Sequence, residues 1–310
     1  MQFGYQNPSF KWASGEYAIW EETKKTALWA EASGFDSFWL MDHFVQLPQV
    51  GEIDEPFLEG WTTLAALAAV TSSIRLGTLV TGSPYRNPAL LAKMAAGIDI
   101  ISQGRLFFGY GAGWFDTEFR QYGYEFVEPP YKRIQAMREA LLIIKKMWTE
   151  TKASFEGDYY TIREAILEPK PVQKPHPPIL IGGGGEKYTL RYLAELGNAC
   201  NLFGGYDDVK QKLDVLRSHC IDLGRDYNEI LKTKYEFYFL RETVAEVEAL
   251  PWTTEFNKSG FGLAGSVDQV VERINRLADL GIEYITLSVP QNDEETKRLL
   301  VEKVLPLYQK

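Results

Sequence analysis

The chain reads as an α/β protein closed into a (β/α)8 TIM barrel. Three observations predict it. Strand-like and helix-like segments alternate along all 310 residues. Eight strand-like segments can be found, the number such a barrel requires. The length is great for one ordinary domain but normal for one barrel carrying insertions. The rival architecture, an open doubly wound sheet, places a glycine-rich dinucleotide turn in its first unit, with an acid about 20 residues on. The first unit here has no such turn. Gly109, Gly111 and Gly113 give G-x-G-x-G, which has the wrong spacing, and about 20 residues on stands Glu128-Pro129-Pro130 rather than a strand end.

The elements follow in order. Gln2–Gln6 is the first strand. A helix fits Glu16–Ser33, with Tyr17, Trp20, Ala27 and Leu28 on one side and Gly34 as its stop. Asp36–Met41 is the second strand, Glu59–Thr71 a helix, and Ile74–Val80 the third strand. Asn87 caps and Pro88 opens a helix running to Ser102. Leu106–Tyr110 is the fourth strand, followed by helices at Asp116–Tyr122 and Tyr131–Thr149.

Ser154–Ile162 reads as a hairpin turning at Gly157-Asp158, and Pro169, Pro171, Pro175, Pro177 and Pro178 extend the chain beyond it. Alternation resumes at once, so residues 150–178 are an insertion within one domain spanning 1–310. Ile179–Ile181 is the fifth strand, Glu186–Leu196 a helix, Ala199–Phe203 the sixth strand and Asp207–Leu223 a helix. Thr233–Leu240 is the seventh strand, and the less regular stretch at 242–262 is read as a second insertion. Ser266 and Gln269 form a capping box, and Val267, Val270, Val271, Ile274, Leu277 and Ala278 recur at helical spacing up to the stop at Gly281. Glu283–Val289 is the eighth strand, and a last helix fits Glu294–Leu307.

A barrel keeps its reactive groups on the loops after its strands. Met41-Asp42-His43-Phe44 follows the second strand and Leu79-Val80-Thr81-Gly82-Ser83 ends the third. Gly111-Ala112-Gly113-Trp114 follows the fourth, and Gly182-Gly183-Gly184-Gly185-Glu186 follows the fifth. Of three histidines only His43 directly follows a strand, with the Asp42 carboxylate beside it, and imidazole moves protons near neutral pH. That pair lacks the further His or Cys residues a metal shell needs, so no metal is expected. Gly182–Gly185 stands between strand and helix, where backbone amides and the helix dipole favour a phosphate. It is not a Walker loop, because no Gly-Lys-Ser/Thr follows. Trp114, Tyr110 and Phe44 are the aromatics placed to line a pocket.

Composition narrows the partners. Hydrophobic residues make up 45% and charged residues 24%, enough core to exclude disorder. The net charge of −9 disfavours nucleic acid and anionic membranes, leaving a small-molecule substrate. Two cysteines, Cys200 and Cys220, give no disulfide framework. With an N-terminus that lacks a signal-peptide pattern and no run near 18 apolar residues, a cytoplasmic location is expected.

Four stretches, GFDSFWLMDHF (34–44), RLGTLVTGSPYRNPALLAK (75–93), GRLFFGYGAGWFDTEFRQYG (104–123) and PPILIGGGGEK (177–187), together resemble the luciferase-like flavin monooxygenase superfamily. Within it the chain is most similar to the branch using the deazaflavin coenzyme F420. The resemblance implies a bacterial luciferase-like barrel, usually a homodimer, that holds a flavin-like ring at its strand C-termini. His43, with Asp42, matches the histidine near the reactive centre. Leu79-Val80 matches the position of a non-proline cis peptide against the ring, with Thr81 and Gly82 just beyond. Gly111-Ala112-Gly113 matches the polyol segment, with Trp114 beside it, and Gly182–Gly185 with Glu186 the phosphate loop. The implied activity is hydride transfer between F420 and a small organic substrate, with a reduced-FMN monooxygenase as the alternative. Sugar-phosphate dehydrogenases of this group carry a glutamate where Trp114 stands, so sugar-phosphate oxidation is not expected.

Overall fold

The computed structural model describes residues 1–308. Its order is β1 (Gln2–Gln6), α1 (Ile19–Ala32), β2 (Ser37–Leu40), α2 (Gly60–Val70), β3 (Arg75–Thr78), β4 (Thr81–Gly82), α3 (Pro88–Ile101) and β5 (Leu106–Gly111). Then come α4 (Asp116–Gln121), α5 (Pro130–Thr149), β6 (Ala153–Glu156), β7 (Thr161–Ala165), β8 (Ile179–Gly182), α6 (Thr189–Leu196), β9 (Ala199–Asn201) and α7 (Tyr206–Leu223). The chain ends with β10 (Thr233–Arg241), α8 (Val244–Glu248), α9 (Thr253–Lys258), β11 (Gly262–Ser266), α10 (Val267–Asp279), β12 (Tyr284–Ser288) and α11 (Glu294–Leu299).

The ladders run β10-β12-β1-β2-β3-β5-β8-β9, all parallel. The ring closes between β9 and β10 by the parallel bridges Ala199–Leu231 and Leu202–Lys234. These are the eight strands expected from the sequence, arranged as the expected (β/α)8 barrel.

Alternation along each strand sorts the side chains. Tyr5, Phe38, Leu40, Phe108, Tyr110, Ile179, Ile181 and Cys200 point outward into the main core with the helices. Trp39, Phe107, Leu180 and Ala199 point inward and form a separate plug, with Leu79 and Val80 packed above it. The barrel interior is therefore filled below, which leaves the strand C-termini as the end where a barrel of this kind takes a ligand.

Several details depart from the sequence reading. Helix α1 begins at Ile19 after a single 3-10 turn, and its buried face is Thr23, Thr26, Ala27 and Ala30. Tyr17 and Leu28, expected inward, are exposed. The third strand stops at Thr78, passes the cis peptide Leu79–Val80, and resumes as β4 paired to β5. Helix α6 starts at Thr189, not Glu186, because Glu186 is held by α7. The last helix gives way after Leu299 to a π turn and then a 3-10 turn at Pro306.

The hairpin β6–β7 is docked by Glu139 of α5, whose carboxylate accepts from the amides of Asp158, Tyr159 and Tyr160 at 2.8–3.1 Å. Residues 242–262 hold α8 and α9 and lead into β11, which pairs in parallel with the upper half of β10, Phe237–Arg241. On the outer side of β10, Lys234 and Glu236 are fully buried and paired, and Arg273 of α10 forks onto Glu236 at 2.8 and 3.0 Å.

Candidate active site

Three strand ends converge on Val80. A methyl on Gly111 would lie 2.8 Å from Val80 Cγ2, and one on Gly182 would lie 2.8 and 3.0 Å from its two methyls. At Gly109 a methyl would meet Val80 Cγ1 at 3.2 Å and also overlap the Thr78 carbonyl. Only glycine lets β5 and β8 come this close to the bulge between β3 and β4. The result is a shelf of backbone and one valine above the Trp39–Phe107–Leu180 plug.

His43 stands on the rim after β2, its side chain only 12% exposed. Trp114 and Phe115 face it edge-on, with ring centroids 6.0 and 6.1 Å away. The Phe44 ring packs on Tyr85 at 4.7 Å and on Tyr122 at 4.6 Å, and lies 5.9 Å from Tyr124. The rim beside the imidazole is thus an aromatic wall, with Trp114 half exposed.

The sequence pairs His43 with Asp42; the structure corrects this. Arg86 takes both oxygens of buried Asp42, Nη1 to Oδ2 at 2.7 Å and Nη2 to Oδ1 at 2.9 Å, and also bonds Glu59. Burial pushes the Asp42 carboxyl up, against the pull of Arg86. Burial opposes the Arg86 charge, but Asp42 and Glu59 outweigh it and hold the guanidinium above its ordinary value. Asp42 is therefore a clasp that joins the His43 loop to the start of α2, where Glu59 also accepts from the Trp61 and Thr62 amides.

The imidazole's partner is Glu118 of α4. His43 Nδ1 lies 3.0 Å from Glu118 Oε2, and the Phe44 amide donates to the same oxygen at 3.1 Å. Glu118 is completely buried. A carboxylate only accepts, so the imidazole donates from Nδ1, and among the described residues Nε2 has no hydrogen-bond partner. Burial, and then the Glu118 carboxylate, push the Tyr85 phenol upward.

Thr81 and Gly82 lie beneath the rim. The Thr81 hydroxyl is fully buried, accepting from Trp61 Nε1 at 2.9 Å and bonding Thr78 Oγ1 at 2.6 Å. Gly82 is covered by the Tyr85 ring. Both support the bulge rather than face the mouth. Ala112 and Gly113 are half-buried along the β5–α4 turn, and Gly113 has φ +76° against the Phe119 ring.

Gly183, Gly184 and Gly185 leave β8 with partly open backbone. Glu186 turns to α7, where Gln211 Nε2 donates to its carboxylate and His219 Nε2 to its carbonyl, each at 2.8 Å. Lys212 lies over Gly184, where a methyl would be 2.8 Å from its Cε and 3.1 Å from its Nζ.

Sequence reasoning missed the roles of Glu118, Arg86 and Lys212. Glu118 had a signal: it sits with Phe115 and Phe119 at i, i+3, i+4, a lone carboxylate on an apolar helical face. Arg86 and Lys212 had none, being single cations with no distinctive spacing.

The model of the luciferase-like monooxygenase family matches residues 1–250. The chain belongs to that family. Over its whole length it is 28% identical to the F420-dependent glucose-6-phosphate dehydrogenase of Microbacterium testaceum, covering 98% of that protein. Over 65% of the chain it is 34% identical to the FMNH(2)-dependent dimethylsulfone monooxygenase of Pseudomonas putida, covering 55% of that protein. A solved F420-dependent secondary alcohol dehydrogenase with an F420-acetone adduct shares the fold, with TM-score 0.83, 22% identity and coverage of 100% of this chain and 99% of that one. Luciferase-like proteins thus divide between the two cofactors the sequence raised.

Proposed function

We propose that this chain is an oxidoreductase transferring hydride between coenzyme F420, held at the barrel mouth, and a small, uncharged, largely apolar substrate. The observation that carries the reading is the convergence of Gly111 and Gly182 on Val80 in a shelf of backbone and one valine, with His43 on its rim. Such a shelf suits a flat ring, because glycine at these positions lets the backbone pack flush against Val80. The F420-dependent relative spanning the full chain supports that cofactor.

Leu79, Val80, Gly111, Ala112 and Gly113 would hold the ring and its polyol, and the backbone of Gly182–Gly185 its phosphate. When bound, a deazaflavin supplies a carbon centre for hydride exchange. The chain's own residues do the rest. Glu118 fixes the His43 tautomer and orientation, so Nε2 can take or give the proton that accompanies hydride. Trp114, Phe115 and Phe44 shape the substrate side and limit water. Arg86 is committed to Asp42 and Glu59, so it offers little to an anionic substrate.

Titration with oxidised F420 and with FMN tests the reading. Binding of F420 tighter than about millimolar supports it, and failure of both ligands at that level refutes it. Oxygen uptake with reduced FMN and a substrate would instead favour the monooxygenase reading, which the Pseudomonas putida relative keeps open.

A further inference from the structure

We infer that Lys212, on α7, is the cationic half of the phosphate site. The inference rests on the proposed cofactor reading and adds a residue from an element outside the four strand ends. Its ammonium lies against Gly184, in the middle of the glycine loop, within reach of an anion held on that loop's amides. The loop is fastened to the same helix on both sides of Lys212, through Gln211 to the Glu186 side chain and through His219 to the Glu186 carbonyl.

Lys212 is also poorly committed. Its Nζ donates to the Phe203 carbonyl at 3.2 Å, and among the described residues no carboxylate lies within ion-pair distance. Its neighbour Lys210, by contrast, pairs with Asp214 at 2.8 Å. An ammonium has three donor positions, so two remain for phosphate oxygens. In a chain of net charge −9, a cation opposite open amides favours the docking of a phosphate.

The test compares phosphate-bearing with phosphate-free chromophores. Dissociation constants are measured by fluorescence for F420 against the phosphate-free deazariboflavin, and for FMN against riboflavin. The proteins are the wild type, Lys212→Gln and Lys212→Arg. Lys212→Gln should weaken the phosphate-bearing ligands at least about tenfold and flatten their salt dependence, while the phosphate-free ligands stay within about twofold. Lys212→Arg, which keeps the charge, should stay within about threefold for all of them. Equal losses for both ligand types would make Lys212 merely structural and overturn the inference. No loss in either would overturn it too. If the wild type binds phosphate-free chromophores as tightly as their phosphates, only the phosphate site fails and the ring reading stands. If it binds no chromophore, both fall.

Discussion

Replacing Glu118 separates its two duties. Its buried carboxylate receives the His43 imidazole N–H at 3.0 Å and the Phe44 amide at 3.1 Å, both on Oε2. Glu118→Ala leaves two part-buried donors without their acceptor. Each orphaned donor costs roughly 1–3 kcal/mol, so the variant should lose about 2–6 kcal/mol of stability. Glu118→Gln keeps the shape and one acceptor oxygen. It exchanges a charge-assisted hydrogen bond for a neutral one, at about 1–2 kcal/mol. Urea denaturation followed by circular dichroism measures both. Histidine-selective 15N NMR, with only three histidines to resolve, should show hydrogen on Nδ1 of His43 in the wild type. Turnover of Glu118→Gln should fall on the order of tenfold to a hundredfold through loss of orientation. If the alanine variant is as stable as the glutamine variant, or the hydrogen sits on Nε2, the account of the rim is wrong.

Three other perturbations test separate parts of the molecule. Gly182→Ala would press a methyl against Val80 and should cost about 1–3 kcal/mol, with part recovered in Gly182→Ala/Val80→Ala; simple additivity in the double-mutant cycle would contradict the shelf. Glu31 is raised by burial but lowered further by accepting from the Ser73, Ile74 and Ser72 amides, so its carboxyl titrates below the ordinary value. Its stabilisation is therefore complete above the unfolded carboxylate range and lost as pH falls through the folded value. Glu31→Gln should be destabilised by about 1 kcal/mol at neutral pH, discounted for exposure, and match the wild type in acid, as read from urea midpoints across pH. Burial pushes the Cys200 thiol up to about 12 and raises Cys220 as well, so iodoacetamide at pH 8 should label neither in the native protein and both in denaturant, by mass spectrometry.

The strands were legible because their inward and outward faces are both apolar and their ends carry glycine or polar residues. Leu106–Gly111 shows why: Phe107 and Phe108 face opposite ways into two different cores. Four of the loops that build the mouth could also be located, since barrel geometry dictates that strand ends meet. What could not be located were partnerships across long separations. His43 and Glu118 are 75 residues apart, and Asp42 and Arg86 are 44 apart, so sequence adjacency favoured the wrong carboxylate. Thr81 and Gly82 lie just beyond the bulge as the sequence placed them, but their covering by Trp61, Thr78 and Tyr85 comes from residues that sequence adjacency does not single out as partners. Irregularity at 242–262 hid β11, whose Gly262 to Gly265 run lacks the usual branched side chains of a strand.

The salted outer edge of β10 has a consequence for assembly of the whole ring. Were that strand to slip by a single residue, Lys234 and Glu236 would swing into the hollow of the barrel and Arg273 would be stranded without its mate. Separating buried ions from their partners costs about 3–5 kcal/mol, a large share of what holds a domain together. Because the same strand also carries β11, a misthreaded version would misplace the final quarter of the polypeptide as well, so three charged side chains far from the chemistry help ensure that the mouth is built in only one way.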